Sequence, residues 1–123
     1  MRFFDAEQVR RALGFDALAD AIADMLRSSP VAPLRHAHAL SSTDSLLLMP
    51  AWSDGAQGAL GVKLVTVVPG NRDRNRATVN AIYILLERES GAPLAFIDGE
   101  ALTLRRTAAA SLLAARFLAR PEA

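Results

Sequence analysis

From Leu34 onwards the apolar pattern has a period of two, and no helical pattern of crossover length separates one such run from the next. This feature constrains the fold more than any other in the chain. Parallel neighbours need a crossover of about a dozen residues or more, so strands joined by short turns must lie in a largely antiparallel or mixed sheet. The pattern predicts strands over about 34–40, 45–52, 61–68, 78–87 and 94–98. Turn chemistry lies between them in SSTDS, SDGAQG, PGNRDRN and ESGAP.

Helical signals flank these runs. Phe3 and Phe4 form a short apolar opening, and Asp5 with Gln8 reads as a capping box. The helix it starts is expected to end at Gly14, a residue that suits the left-handed C′ conformation. Asp16 is placed to cap a second helix with an apolar stripe of Leu18, Ile22, Met25 and Leu26, which Ser28-Ser29-Pro30 stops. After the last strand, ALTLRRTAAASLLAA at 101–115 has high helix propensity. Its apolar face carries Leu102, Ala109, Leu112, Leu113 and Phe117. Arg120-Pro121-Glu122-Ala123 reads as a chain leaving that helix. Helices, then strands, then one long helix imply an α+β domain of two layers, with a sheet of about five to six strands.

Composition narrows the function classes. A chain of 123 residues with 51% hydrophobic and 22% charged residues reads as one globular, soluble domain. The net charge of +1 argues against a dedicated binder of nucleic acid or of an anionic membrane. The absence of cysteine excludes disulfides, thiolate metal sites and a cysteine nucleophile, and fits a cytoplasmic protein. No apolar run is long enough to cross a bilayer, and MRFFDAEQ lacks the apolar stretch of a signal peptide.

A few residues stand out chemically. Lys63 interrupts the apolar run LGVKLVTVV, where a lone ammonium must find an anion, reach solvent by snorkelling from an edge strand, or lose its charge. Arg105 and Arg106 stand early in the last helix, against the usual preference of cations for a C-terminus, so either an anion lies near them or they are solvated. Arg35 begins a strand; with Lys63 and Arg106 it would supply two planar forks and a point charge suited to a carboxylate. His36 and His38 have metal-ligand spacing but lack an evident third ligand. Gly55, Gly58 and Gly61 do not have the dinucleotide spacing and read as turn glycines. Arg72, Arg74 and Arg76 alternate with Asp73 and Asn75 in a loop that is either solvated or touches a phosphate.

Four stretches in order, LLMPAW at 47–52 (with its leading leucine at 47), LGVKLVTVVPGN at 60–71, ATVNAIYILLERESGAPLAFIDG at 77–99 and LTLRRTAAASLLAARFLARP at 102–121, together resemble the ornithine cyclodeaminase/mu-crystallin family. The resemblance implies a two-domain oxidoreductase-like protein. Its first domain binds substrate and dimerises; its second, a Rossmann domain, holds NAD or NADP. Residues 1–123 resemble the first domain alone, so the catalytic aspartate of the second is expected to lie outside them. The implied ligands of the substrate carboxylate are Arg35, Lys63 and Arg106, with Lys63 acting in catalysis as well. Met49 and Thr78 would line the same pocket. Arg105 stands where relatives often carry an apolar residue.

The implied function is that of a substrate-binding domain in an NAD(P)-dependent enzyme acting on a small α-amino or α-imino acid. In the cyclodeaminase version ornithine gives proline plus ammonia; in relatives a cyclic imino acid is reduced or an amino acid is dehydrogenated. Leu47 stands where true cyclodeaminases carry a glutamate, which favours the latter reactions. A mu-crystallin-type binding protein without turnover and a stand-alone dimerisation domain are the alternatives. A homodimer is expected, and residues 1–123 on their own are expected to be inactive and to bind no dinucleotide.

Overall fold

In the computed structural model, which describes residues 1–27, 30–54 and 58–118, the chain runs β1 (Arg2–Phe4), α1 (Ala6–Ala12), α2 (Phe15–Arg27), β2 (His36–Ala39), β3 (Ser45–Trp52), β4 (Ala59–Val67), a 3-10 turn (Pro69–Arg74), β5 (Val79–Glu87), β6 (Pro93–Asp98) and α3 (Gly99–Leu118). The strands form one six-stranded sheet in the order β1-β6-β5-β4-β3-β2. Every pairing from β2 to β6 is antiparallel, and β1 alone adds parallel to β6. The mixed α+β architecture read from the sequence is present.

Local chemistry explains most element ends. Asp5 Oδ1 accepts from the Gln8 backbone N–H at 2.9 Å and Gln8 Oε1 accepts from the Asp5 N–H at 2.9 Å, so the capping box forms as expected. Asp98 Oδ2 accepts from the Ala101 N–H at 2.9 Å and secures the start of α3. Gly91, at φ 74°, supplies the left-handed residue that turns β5 into β6.

Several expectations need correction. α1 stops at Ala12, and Gly14 does not take a left-handed φ. Its carbonyl instead accepts from the Leu18 N–H at 3.0 Å and opens α2 one residue before Asp16. Asp16 therefore lies within the first turn, and its carboxylate meets Arg116 of α3 at 2.6 Å. The Phe3–Phe4 opening is a strand, which the sequence reading missed. PGNRDRN contains the 3-10 turn. Two residues of the expected helix faces point outwards: Leu26 is 64% exposed and Phe117 76%. The proposed Ser28-Ser29 stop, Gly55 and the 120–123 ending lie outside the described residues.

Pairing assigns the faces. Leu47, Met49 and Ala51 of β3 share a face with Val65, Lys63 and Gly61 of β4 and with Ala81, Tyr83 and Leu85 of β5. The helical layer lies over the β1–β6–β5 side of the sheet. It covers this same face: Ala95, opposite Leu85, is 5% exposed, whereas Phe3 and Leu94 on the reverse face are 62% and 43% exposed. Small residues permit the close approach. Ala19 of α2 and Ala109 of α3 are fully buried, and α2 packs on α3. Gly99 sits against Ala81, where an added Cβ would come within 2.6 Å of the Ala81 Cβ.

Candidate functional site

The sheet register creates a transverse row. Met49 of β3 pairs with Lys63 of β4, Lys63 pairs with Tyr83 of β5, and Tyr83 pairs with Ile97 of β6. Directly paired residues project to the same face, so these four side chains rise side by side on the face that the helical layer covers at its β5–β6 end. At the far end, His36 pairs with Leu48. Arg35 immediately precedes β2 and is not itself paired. Two strand spacings, about 10 Å, separate β2 from β4.

Lys63 is half-buried, and β4 lies inside the sheet with a strand on either side, so an edge does not offer its ammonium a route to water. Among the described residues neither the Lys63 nor the Arg35 side chain makes a hydrogen bond or an ion pair. A half-buried, unpartnered cation set in an apolar strand is less well solvated than one on the surface, and an anion would compensate it.

α3 adds the third cation. Arg105 and Arg106 are the seventh and eighth residues of α3, in its second turn. The dipole argument made from the sequence fails there, because the field of a helix terminus fades within the first turn. Glu100, not an arginine, occupies that turn. The two arginines divide their roles. Arg105 Nη2 donates to the Arg10 carbonyl at 2.9 Å, and its guanidinium stacks 4.5 Å from the Phe15 ring centroid. Arg106, about 100° further round the helix, is exposed and makes no hydrogen bond or ion pair among the described residues. Arg105 ties the helices together, and Arg106 is left available on the helix that covers the Lys63 face.

Thr78 stands apart from the row. It precedes β5, where its carbonyl accepts from the Val68 N–H at 2.7 Å. Five residues at about 3.3 Å each put it roughly 16 Å along the strand from Tyr83. Leu47 lies on the Lys63 face, paired with Val65. His36 and His38 share one face of the exposed edge strand β2, and no group of metal-ligating side chains forms among the described residues.

Tyr83 escaped the sequence reading. Its ring leans along the sheet over Gly61, where any added Cβ would overlap the phenol oxygen. Gly61 is therefore not a turn glycine but the gap in β4 that admits this ring. Burial pushes the Tyr83 phenol above its usual value of 10.0; a phenol is protonated near neutrality at either value. A glycine two residues before the lysine was the visible signal, but only the register shows which side chain needs the space.

No strand is followed by a G-x-G-x-x-G turn into a helix: β6 enters α3 through Gly99-Glu100-Ala101. The described residues do not fit a dinucleotide cradle.

Proteins similar to this chain include named reductases and dehydrogenases. The curated Δ1-pyrroline-2-carboxylate reductase of Bacillus cereus is 44% identical over 80 residues, covering 65% of this chain and 24% of its own. The solved Δ1-pyrroline-2-carboxylate reductase of Thermococcus litoralis, in complex with NADH and L-proline, superposes with a TM-score of 0.77 at 27% identity, over 98% of this chain and 38% of that one. An archaeal alanine dehydrogenase dimer with bound NAD gives a TM-score of 0.79 at 31% identity, over 96% and 37%. The chain thus spans about a quarter of the reductase it matches. The model of the ornithine cyclodeaminase/mu-crystallin family, a family of NAD(P)-dependent enzymes, matches residues 2–123, and the chain belongs to that family.

Proposed function

We propose that residues 1–123 are the substrate-binding and dimerisation domain of a larger cytoplasmic two-domain enzyme that reduces a small cyclic imino acid, or dehydrogenates an amino acid, in preference to cyclising ornithine. The observation that carries this is the row in which unpartnered Lys63 stands between Met49 and Tyr83, in a sheet whose edge strand β2 follows directly on Arg35 and whose same face carries, at its β5–β6 end, the helix that bears Arg106.

Lys63 holds one carboxylate oxygen as a point charge in a dry setting. Arg35 and Arg106 present planar forks to the remaining lone pairs. Fixing the carboxylate fixes the attached α-carbon, which is catalysis by positioning. Leu47 and Val65 continue the apolar wall beside the row and keep water from the imine. The reduced dinucleotide, when bound, supplies the hydride; its cradle lies outside the described residues. The relatives' substrate chemistry, Δ1-pyrroline-2-carboxylate above all, supports a cyclic imino acid.

The test is turnover by the full-length gene product with NADH or NADPH. The expected result is a higher kcat/KM for Δ1-pyrroline-2-carboxylate than for L-ornithine with oxidised cofactor. Efficient conversion of ornithine to proline would overturn the preference. Binding of both ligands without turnover would indicate a binding protein instead.

A further inference from the structure

Tyr83 stands beside Lys63 in the register and over Gly61 in space. Its hydroxyl makes no hydrogen bond among the described residues, yet no buried side-chain polar atom is left without a partner. The hydroxyl therefore keeps an opening to the outside of the protein. The residue next to Gly61 across the sheet on β3 is Ala51. The phenol oxygen occupies the space that the missing Gly61 side chain leaves. Tyr83 thus brings a protonated, partly desolvated O–H without a protein acceptor to the sheet face on which Lys63, its register partner, carries an ammonium without a protein anion. A carboxylate can satisfy both, one oxygen to each.

We propose that Tyr83 is a substrate-positioning residue: its hydroxyl donates a hydrogen bond to the substrate carboxylate that Lys63 holds, and the Gly61 gap exists to seat the ring in that pose. The inference rests on the carboxylate-site reading above. It differs from that reading in adding a neutral donor, and with it a geometric constraint, to a set otherwise made of charges. A cation attracts an anion from any direction, whereas an O–H fixes one oxygen along one line. Tyr83 would thereby set the rotation of the carboxylate about its bond to the α-carbon.

The test uses Tyr83→Phe in the full-length enzyme, which keeps the ring over Gly61 and removes only the donor. Loss of one hydrogen bond to a charged group should raise KM for the imino acid by about 10-fold or more, with a smaller change in kcat and no change in KM for the cofactor. Dissociation constants for L-proline and for pyrrolidine, its analogue without the carboxylate, give the second readout. Tyr83→Phe should weaken L-proline and leave pyrrolidine unaffected. A general packing defect would weaken both equally and would overturn the proposal. Lys63→Met separates the two levels of argument. If Lys63→Met abolishes L-proline binding and Tyr83→Phe changes nothing, the carboxylate site stands and the role of Tyr83 falls. If neither variant alters L-proline binding, the carboxylate site itself is misplaced.

Discussion

Arg105 and Arg106 are adjacent in the chain and differ in their contacts. Arg105 is bound to the Arg10 carbonyl at 2.9 Å and stacked on Phe15, while Arg106 is exposed and without a partner among the described residues. Substitution should separate them cleanly. Arg106→Ala in the full-length enzyme should leave the melting temperature unchanged and cost roughly 2–5 kcal/mol of transition-state binding, as for a truncated charge pair. That is about 30-fold to several-thousand-fold in kcat/KM. Arg105→Ala should do the reverse, lowering stability by about 1 kcal/mol through the lost cation–π contact and hydrogen bond. Equal kinetic effects of the two substitutions would refute the division.

The Gly61–Tyr83 contact makes a stability prediction independent of any activity. Gly61→Ala places a methyl group where the Tyr83 ring lies. Overpacking of this kind costs about 1–3 kcal/mol. Because the clash is with one side chain, Tyr83→Ala should relieve it. A double-mutant cycle measured by denaturant unfolding should give a coupling of about 1 kcal/mol or more. Additive losses would mean that the ring does not occupy the gap.

The raised pKa of Tyr83 also ties stability to alkaline pH. The folded value lies above the unfolded value of about 10.0 because burial disfavours phenolate. The folded chain therefore holds this proton more tightly. Its contribution is fully present below about pH 10 and is lost as pH rises through the folded value. Unfolding free energies measured from pH 8 to 11 should fall less steeply in Tyr83→Phe than in the parent. Parallel curves would show that the phenol titrates normally.

The reverse face of the sheet leads to the expectation of a homodimer. Leu46 and Leu48, Val62 and Leu64, and Ile82 and Ile84 project there from three neighbouring strands, opposite the helical layer. An apolar sheet face of this breadth needs a cover. Light scattering should report a dimer for the full-length protein, and Leu64→Lys should shift it towards monomer. A monomeric parent at high concentration would dismiss the idea.

Legibility followed range. The Asp5–Gln8 box spans three residues and was readable directly. The long strands were readable because β3, β4 and β5 carry enough alternation to reveal their period. β1 was not, since three residues cannot show a period and its parallel partner, β6, lies some ninety residues away. Gly14 misled because a glycine after a helix fits two outcomes, and contact between the next helix and α3 decides between them. Arg35, Lys63 and Arg106 were named from resemblance, but the neighbours of Lys63 could not be. That Met49, Lys63 and Tyr83 fall in one row depends on register, which no single strand contains.

Leu47 carries the last prediction. It lies two residues from Met49 on the Lys63 face, about 7 Å along the strand, and pairs with Val65, which is 6% exposed. Ornithine cyclisation must handle protons at two amines, one leaving and one attacking. A carboxylate matched in pKa assists such transfers. The Leu47 segment offers none: Leu46 and Leu48 are apolar and point to the other face, and Asp44 sits in the preceding turn, where Thr43 Oγ1 donates to it at 3.0 Å. A leucine here suits an uncharged ring and disfavours a second ammonium, whose desolvation would go uncompensated. Leu47→Glu in the full-length enzyme should therefore shift the ratio of kcat/KM values towards L-ornithine by about 10-fold or more, the scale of general acid–base assistance being about 100-fold at its lower end. It should also weaken the imino acid, since a carboxylate near the Lys63 site competes with the substrate's own. If the ratio does not move, the aspartate expected outside residues 1–123 serves both proton transfers, and Leu47 does not set the substrate.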